Sequence, residues 1–313
     1  MIPINVLNRL SYVDVLKGYA ILLVILGHSI QNTVLDFDGN IVFRVIYSFH
    51  MPLFMILSGI VVKFPIQIDL NRRATRLLLP FVCWGCVSFL LGLEIRQIGL
   101  LKLLTHPDYG MWFLYILFLI NFWLATSLKV YQKSRILGII SASVLYLILS
   151  RIGLFNEYCK FFITGVALRY ILNNHNNLIM QHKIIFNGIC VVATTFFLLG
   201  IPYWNRLIPV PLLKMYHLDQ VYRFLMALSG CILSYLIIRC VCFSNYLKIV
   251  LTYFGLYSLE YYVVHQYVFG FIVSFNVVSK FIVVIVLSTI LIRVIKMSNI
   301  SQLLLFGRVE ASG

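Results

Sequence analysis

The stretch YVDVLKGYAILLVILGHSI, residues 12–30, decides how the rest of the chain is read. Between Lys17 and His28 it carries no charged side chain. As a helix it rises about 28 Å at about 1.5 Å per residue, close to the thickness of a bilayer's hydrocarbon core. Asp14, Lys17 and His28 nevertheless punctuate it. At about 100° per residue, the steps from Lys17 to His28 turn through about 1100°, three turns plus about 20°, so the two share a face. Asp14, one turn before Lys17, falls on that face and can pair with it. Ionisable groups cost a few kcal/mol each in a spanning helix, so each needs a reason. For Asp14 and Lys17 the alternatives are an anchor at the helix end or a part in a site. His28 lies about 16 Å beyond Lys17, well inside the span. Imidazole there is either satisfied packing or the group best suited to moving a proton near neutral pH.

The whole chain has the same character. Of 313 residues 61% are apolar and 11% charged, which excludes a soluble fold. Apolar runs bounded by charges or turn residues fall at 13–34, 42–62, 77–95, 111–128, 135–150, 157–172, 184–201, 221–242, 253–273 and 275–295. The expected fold is all-α: one polytopic membrane helix bundle of about ten transmembrane helices, covering 1–313 with no separate soluble domain. Arg9 and Lys17 before the first run imitate a signal peptide, but no small-residue cleavage site follows, so this run is expected to stay in the mature protein. The segment from Arg151 to Lys160 reads either as a tight external turn or as part of a tilted helix. An extra or missing span there would flip everything after it.

The excess of 25 Lys+Arg over 10 Asp+Glu gives a net charge of +15. In a spanning protein that excess marks cytoplasmic flanks meeting anionic lipid, and no nucleic acid is expected. With the N-terminus inside, sixteen of the 25 basic residues fall on the cytoplasmic side, which favours N-in and C-in. Two outer loops, about 96–110 and 202–220, carry His106, Tyr109, Tyr203, Trp204, Tyr216 and His217. These are interface anchors or substrate contacts. The seven cysteines sit mostly in apolar runs and read as reduced packing residues. Cys83 and Cys86 form a CxxC with no second pair, so no metal site is expected.

Further polar residues recur inside the apolar runs. FHMPLFMILSG, residues 49–59, places His50 in the second run, with Pro52 freeing a backbone carbonyl. SLEYYVVHQYV, residues 258–268, places Glu260 and His265 in the ninth, with Ser258 on the His265 face and Tyr261 at i−4. Three runs thus supply histidines and one an intramembrane carboxylate, so a site between helices is the economical reading.

Together these residues resemble the acyltransferase-3 family, integral membrane O-acyltransferases of bacteria, many of which acetylate surface glycans. Lys17 and His28 are similar to its basic residue, ten-residue spacer and histidine motif, and Asp14 to its acidic residue at the helix start. His50, Pro52, Phe54, Ser58 and Gly59 resemble its second-span signature. NRRATRLLLPF resembles its Arg-x-x-Arg pair at Arg73 and Arg76, Trp112 its WFL segment, FFITGVAL a mid-chain span, and Ser258, Tyr262 and His265 its late element. Lys17 stands where many members have arginine, and lysine cannot make a bidentate contact.

The resemblance implies a membrane-embedded O-acyltransferase moving an acyl group, acetyl in the first instance, from acyl-CoA to a sugar hydroxyl of a surface glycan or its lipid-linked precursor. Acetyl-CoA would be a co-substrate, with no permanently bound cofactor, in a bacterial inner (plasma) membrane. Asp14, Lys17 and His28 would be catalytic, His28 taking the hydroxyl proton or carrying the acyl group. Acyl-CoA carries phosphates, and Arg72, Arg73 and Arg76 would bind them; as topology signal alone they would bind nothing. His50, Ser258, Glu260, His265 and Trp112 would serve the acceptor or support the site. The competing class is a proton-coupled transporter or flippase using the intramembrane Asp, Glu and His residues; a third is a binding module without chemistry.

Overall fold

The computed structural model describes residues 6–91, 111–174, 183–204, 218–241, 244–272 and 275–308. Among the described residues there are twelve α-helices and no strand. In chain order they are α1 (Val6–Gln31), α2 (Ile41–Ile60), α3 (Leu70–Leu90), α4 (Trp112–Lys133), α5 (Arg135–Leu149), α6 (Phe155–Asn174), α7 (Lys183–Gly200), α8 (Leu218–Val241), α9 (Asn245–Leu256), α10 (Ser258–Gly270), α11 (Val277–Ile295) and α12 (Asn299–Phe306). All ten apolar runs are helical over most of their described residues, among which seven helices are long and apolar enough to cross a membrane. The ninth run differs from its expected form. It is two helices, α9 and α10, separated at Tyr257.

The exterior is apolar as well as the core. On α5 only Gly138 and Leu149 are buried, while Ile136, Ile139, Ile140, Val144, Leu147 and Ile148 are exposed. An apolar face this extensive is stable against lipid and not against water. Within the apolar core lie buried polar groups, among them His50, Glu260, His265, Arg44 and Lys280. With no water to satisfy them, such groups must find protein partners.

The chain packs as two compact units, Met1–Val61 with Ala167–Ile290, and Val62–Val166 with Leu291–Gly313. In the first, α1 packs along α2, α9 and α10, and α8 packs on α2 and α7. The α1–α9 crossing is backbone against backbone. A methyl group on Gly18 would fall on the carbonyl oxygen of Leu251, and one on Gly255 on that of Asp14. Glycine at both positions lets the helices approach to a distance no side chain allows.

Two buried cations tie helix ends of this unit together. Arg44, 4% exposed, donates to three backbone carbonyls, Asp38 at 2.7 Å, Gly39 at 3.1 Å and Pro202 at 2.9 Å. Lys280, 2% exposed, donates to Asn32 O at 2.9 Å, just past the end of α1. The start of α2 therefore lies beside the end of α7, and the start of α11 beside the end of α1. Runs one, two, seven and ten of the first unit thus keep the alternation expected on both sides of the 135–172 segment. Neither cation is a loop charge, so neither bears on orientation by charge counting.

In the second unit α3 packs on α4 and α12, and α4 on α5. Asp69 caps α3, its carboxylate accepting from Arg72 N at 3.0 Å. Trp84 Nε1 donates to Leu305 O at 2.9 Å. Gly307, with φ of 66° at the end of α12, brings its backbone onto Thr75 and Arg76, an approach and a conformation that suit glycine.

Candidate functional site

The first unit gathers its polar residues around the C-terminal half of α1. His28 is half-buried there, with its ring centroid 5.4 Å from that of His265 on α10, 6.1 Å from Tyr47 on α2 and 6.3 Å from Phe269. Its Nδ1 lies 3.0 Å from Gln31 Oε1 and 3.3 Å from the Tyr47 hydroxyl, and that hydroxyl donates to Gln31 Oε1 at 3.0 Å. Helix geometry explains Gln31, which is one turn beyond His28 on the same face. Tyr47 arrives from α2, its ring stacked on Phe43 at 3.9 Å and tilted against His50 at 4.8 Å. The order His265, His28, Tyr47, His50 is a continuous row of ring contacts.

The other two histidines are fixed differently. His50 Nδ1 donates to Ile46 O at 2.8 Å, and His265 Nδ1 to Tyr261 O at 2.8 Å, each closing on the carbonyl one turn back. A proton on Nδ1 leaves the lone pair on Nε2. His265 Nε2 is fully buried and has no hydrogen-bond partner among the described residues. Unmet acceptors in an interior are rare and call for an explanation. Tyr261 meets His265 through its carbonyl, and its phenol pairs with Thr289 Oγ1 at 2.6 Å. Glu260, 1% exposed, sits in the first turn of α10, where the helix dipole favours a carboxylate. Ser258 opens the same helix, half-buried.

Asp14 and Lys17 form an ion pair at 3.9 Å, with 24% and 29% of their side chains exposed in the order Lys17, Asp14. They lie in the N-terminal half of α1, where α9 presses against it. The arginines and Trp112 belong to the second unit. Arg72 is exposed and Arg73 and Arg76 are half-buried in the early turns of α3. Trp112 opens α4, its ring 4.7 Å from that of Tyr158. Of the loop residues, Trp204 lies under the Arg223 guanidinium at 5.9 Å and Tyr203 is exposed, while His106, Tyr109, Tyr216 and His217 lie outside the described residues. No cluster of three or more His, Cys, Asp or Glu side chains able to hold a metal occurs among the described residues.

Sequence reasoning missed Tyr47, Gln31 and Phe269. Gln31 was within reach, since it follows His28 at helical spacing. Tyr47 and Phe269 carry no such signal, because aromatic residues in apolar runs are ordinarily packing.

An apolar exterior on long apolar helices defines a multi-pass membrane protein, with three neighbouring imidazoles set among its helices. The family model described as an acyltransferase domain, that of the acyltransferase-3 family, matches residues 10–297, and the chain belongs to this family. The match runs through both compact units. The chain is similar to a nodulation protein NolL of Mesorhizobium japonicum, 29% identical over 224 residues, 65% of this chain and 59% of that protein. It is also similar to the NolL of Sinorhizobium fredii, 37% identical over 86 residues, 25% of this chain and 24% of that one. Less than two thirds of either relative's length is thus covered. No solved structure matches the chain.

Proposed function

We propose that the protein is a membrane-embedded O-acyltransferase, moving an acyl group, acetyl in the first instance, from acyl-CoA to a sugar hydroxyl of a cell-surface glycan or its lipid-linked precursor. Its membrane is the bacterial inner membrane, with both termini in the cytoplasm. The observation that carries the reading is His28, held through Nδ1 by Gln31 and Tyr47, with Nε2 making no hydrogen bond to the described residues.

The acceptor hydroxyl gives its proton to His28 Nε2 as its oxygen attacks the thioester carbonyl. Collapse of the tetrahedral intermediate forms the ester, breaks the C–S bond, and returns the proton from His28 to the departing thiolate. The buried Nε2 of His265, in ring contact with His28, is a further acceptor for a substrate hydroxyl, and it supports direct transfer to a bound alcohol. His50, Glu260 and Ser258 support the acceptor side. Lys17, oriented by Asp14, positions the donor near the opposite end of the His28 face. Arg73 and Arg76, one turn apart on α3 with Arg72 beside them, supply guanidinium forks for the phosphates of acyl-CoA. Trp112 is assigned to acceptor binding.

Mass spectrometry of surface glycans from cells with the gene, without it, and carrying His28→Ala tests this reading. The expected result is one acyl group per modified sugar, present in the first case alone. Identical glycans in all three would sink it. With purified protein, Arg73→Ala and Arg76→Ala should each raise the KM for acetyl-CoA about tenfold with a smaller effect on kcat, the loss of a hydrogen bond to a charged group. Unchanged KM in both would leave the arginines as topology signal.

A further inference from the structure

His28 differs from the other two histidines of the row in one respect. The Nδ1 groups of His50 and His265 are tied to main-chain carbonyls, whereas that of His28 is tied to two side chains. We infer that Gln31 and Tyr47 are positioning residues that hold the His28 proton on Nδ1 and so make Nε2 the basic nitrogen. This rests on the reading of His28 as the proton acceptor.

With the Gln31 amide turned oxygen-first toward the ring and the Tyr47 hydroxyl, Oε1 is the acceptor, and its 3.0 Å contact with Nδ1 places the proton on Nδ1. The Tyr47 hydroxyl spends its own proton on the same Oε1 at 3.0 Å and turns a lone pair toward Nδ1 at 3.3 Å. Both groups that face Nδ1 are therefore acceptors. The phenol is itself held in place. Its ring stacks on Phe43 and packs against the buried cluster of Ile30, Phe43 and Ile46, which Leu26 and Val277 also meet, so its hydroxyl is carried by an apolar cluster from three helices. Neutral imidazole otherwise divides between two tautomers, and only the one with a lone pair on the substrate side takes a proton. Tyr47 and Gln31 touch neither donor nor acceptor in this scheme, and they act only through His28.

The test is nitrogen NMR of the full-length protein in lipid nanodiscs, with 15N-labelled histidine and the His28 signals assigned by loss in His28→Asn. Wild type should show His28 with Nδ1 protonated and Nε2 bare. Tyr47→Phe keeps the ring and its packing, and together with Gln31→Leu it should move His28 toward the opposite tautomer. In parallel, kcat for acetyl transfer should fall about two- to tenfold per lost hydrogen bond with KM for acetyl-CoA unchanged, whereas Gln31→Glu, which keeps the acceptor, should retain the wild-type tautomer. A wild-type spectrum with the proton on Nε2, or a double variant whose tautomer is unchanged, overturns the inference. If the double variant does not purify as a monodisperse species, the wild-type and Tyr47→Phe spectra still decide it. Because the spectra need no substrate, a correct tautomer without acyl transfer would refute the acyltransferase reading and leave the positioning role standing. Acyl transfer with an unaffected tautomer would do the reverse.

Discussion

The two halves of α1 are built on opposite plans. Toward its N-terminus the helix meets α9 backbone to backbone, Gly18 under Leu251 and Gly255 under Asp14, with the Asp14–Lys17 pair about a quarter exposed. Toward its C-terminus it meets α2 and α10 ring to ring, through Tyr47, His265 and Phe269. Asp14 and His28 are about 21 Å apart along the axis. Where backbones touch, no room remains for side chains between them, so the charges point elsewhere and stay partly exposed. Where rings separate the helices, a buried polar space can be lined and its groups oriented. The break between α9 and α10 at Tyr257 falls between the two plans. The same helix thus carries an ion pair at one end and a cluster of imidazole and aromatic rings at the other.

The largest effect is expected at the ring-lined end. His28→Ala should lower kcat for acyl transfer by about 10²–10⁴-fold, the worth of a positioned general base, while the protein remains inserted and monodisperse. Turnover of purified variant with acetyl-CoA measures it. Retention of more than about a tenth of wild-type activity would mean that this end of α1 is packing and not chemistry.

The next effect belongs to the backbone contact and is one of stability. Gly18→Val or Gly255→Val sets a side chain against a main-chain carbonyl that cannot swing aside. Each should destabilise by about 3 kcal/mol, the upper end for overpacking, and lower the temperature at which the detergent-solubilised protein loses its monomer peak. Alanine at the same positions should do less, and a Gly255→Val protein as heat-resistant as wild type would show that α1 and α9 do not approach so closely.

Much of this was legible in the sequence, for identifiable reasons. Hydrophobic runs translate into helices because a bilayer admits no unpaired backbone, so all ten were readable. The alignment of Lys17 with His28 follows from helical period alone, and the Asp14–Lys17 pair from their spacing. The break in the ninth run was not readable: GLYSLEYY has the composition of a continuous span, and a helix can pass through its glycine. Arg44 and Lys280 fall among the nine basic residues that charge counting leaves on the outer side, because sequence gives sign and not surroundings; only the fold shows their charges engaged by main-chain carbonyls. Tyr47 was hidden by distance in the chain, since its partners lie sixteen and nineteen residues away on another helix.

The smallest effect, and the one that sharpens the comparison most, is expected at Lys17. Its ammonium and the Asp14 carboxylate are 3.9 Å apart and each is about a quarter exposed, so the pair by itself contributes little to stability, within about 1 kcal/mol as for solvent-accessible ion pairs. Lys17→Ala should therefore leave the melting behaviour close to wild type, in contrast to the neighbouring glycine. Its effect should appear in catalysis, as a fall in kcat together with a rise in the KM for acetyl-CoA, because a charge that positions the donor acts in both the bound state and the transition state. Lys17→Arg keeps the charge but replaces a compact ammonium by a planar fork on a different stem, and should recover part of what alanine loses. Steady-state kinetics beside thermal stability, on the same preparations, separates the possibilities. If Lys17→Ala melted early and Lys17→Arg restored the melting point but not the rate, this end of α1 would be an anchor like its glycines. If both variants kept wild-type kinetics and stability, the charge would serve only to set the orientation of the first span.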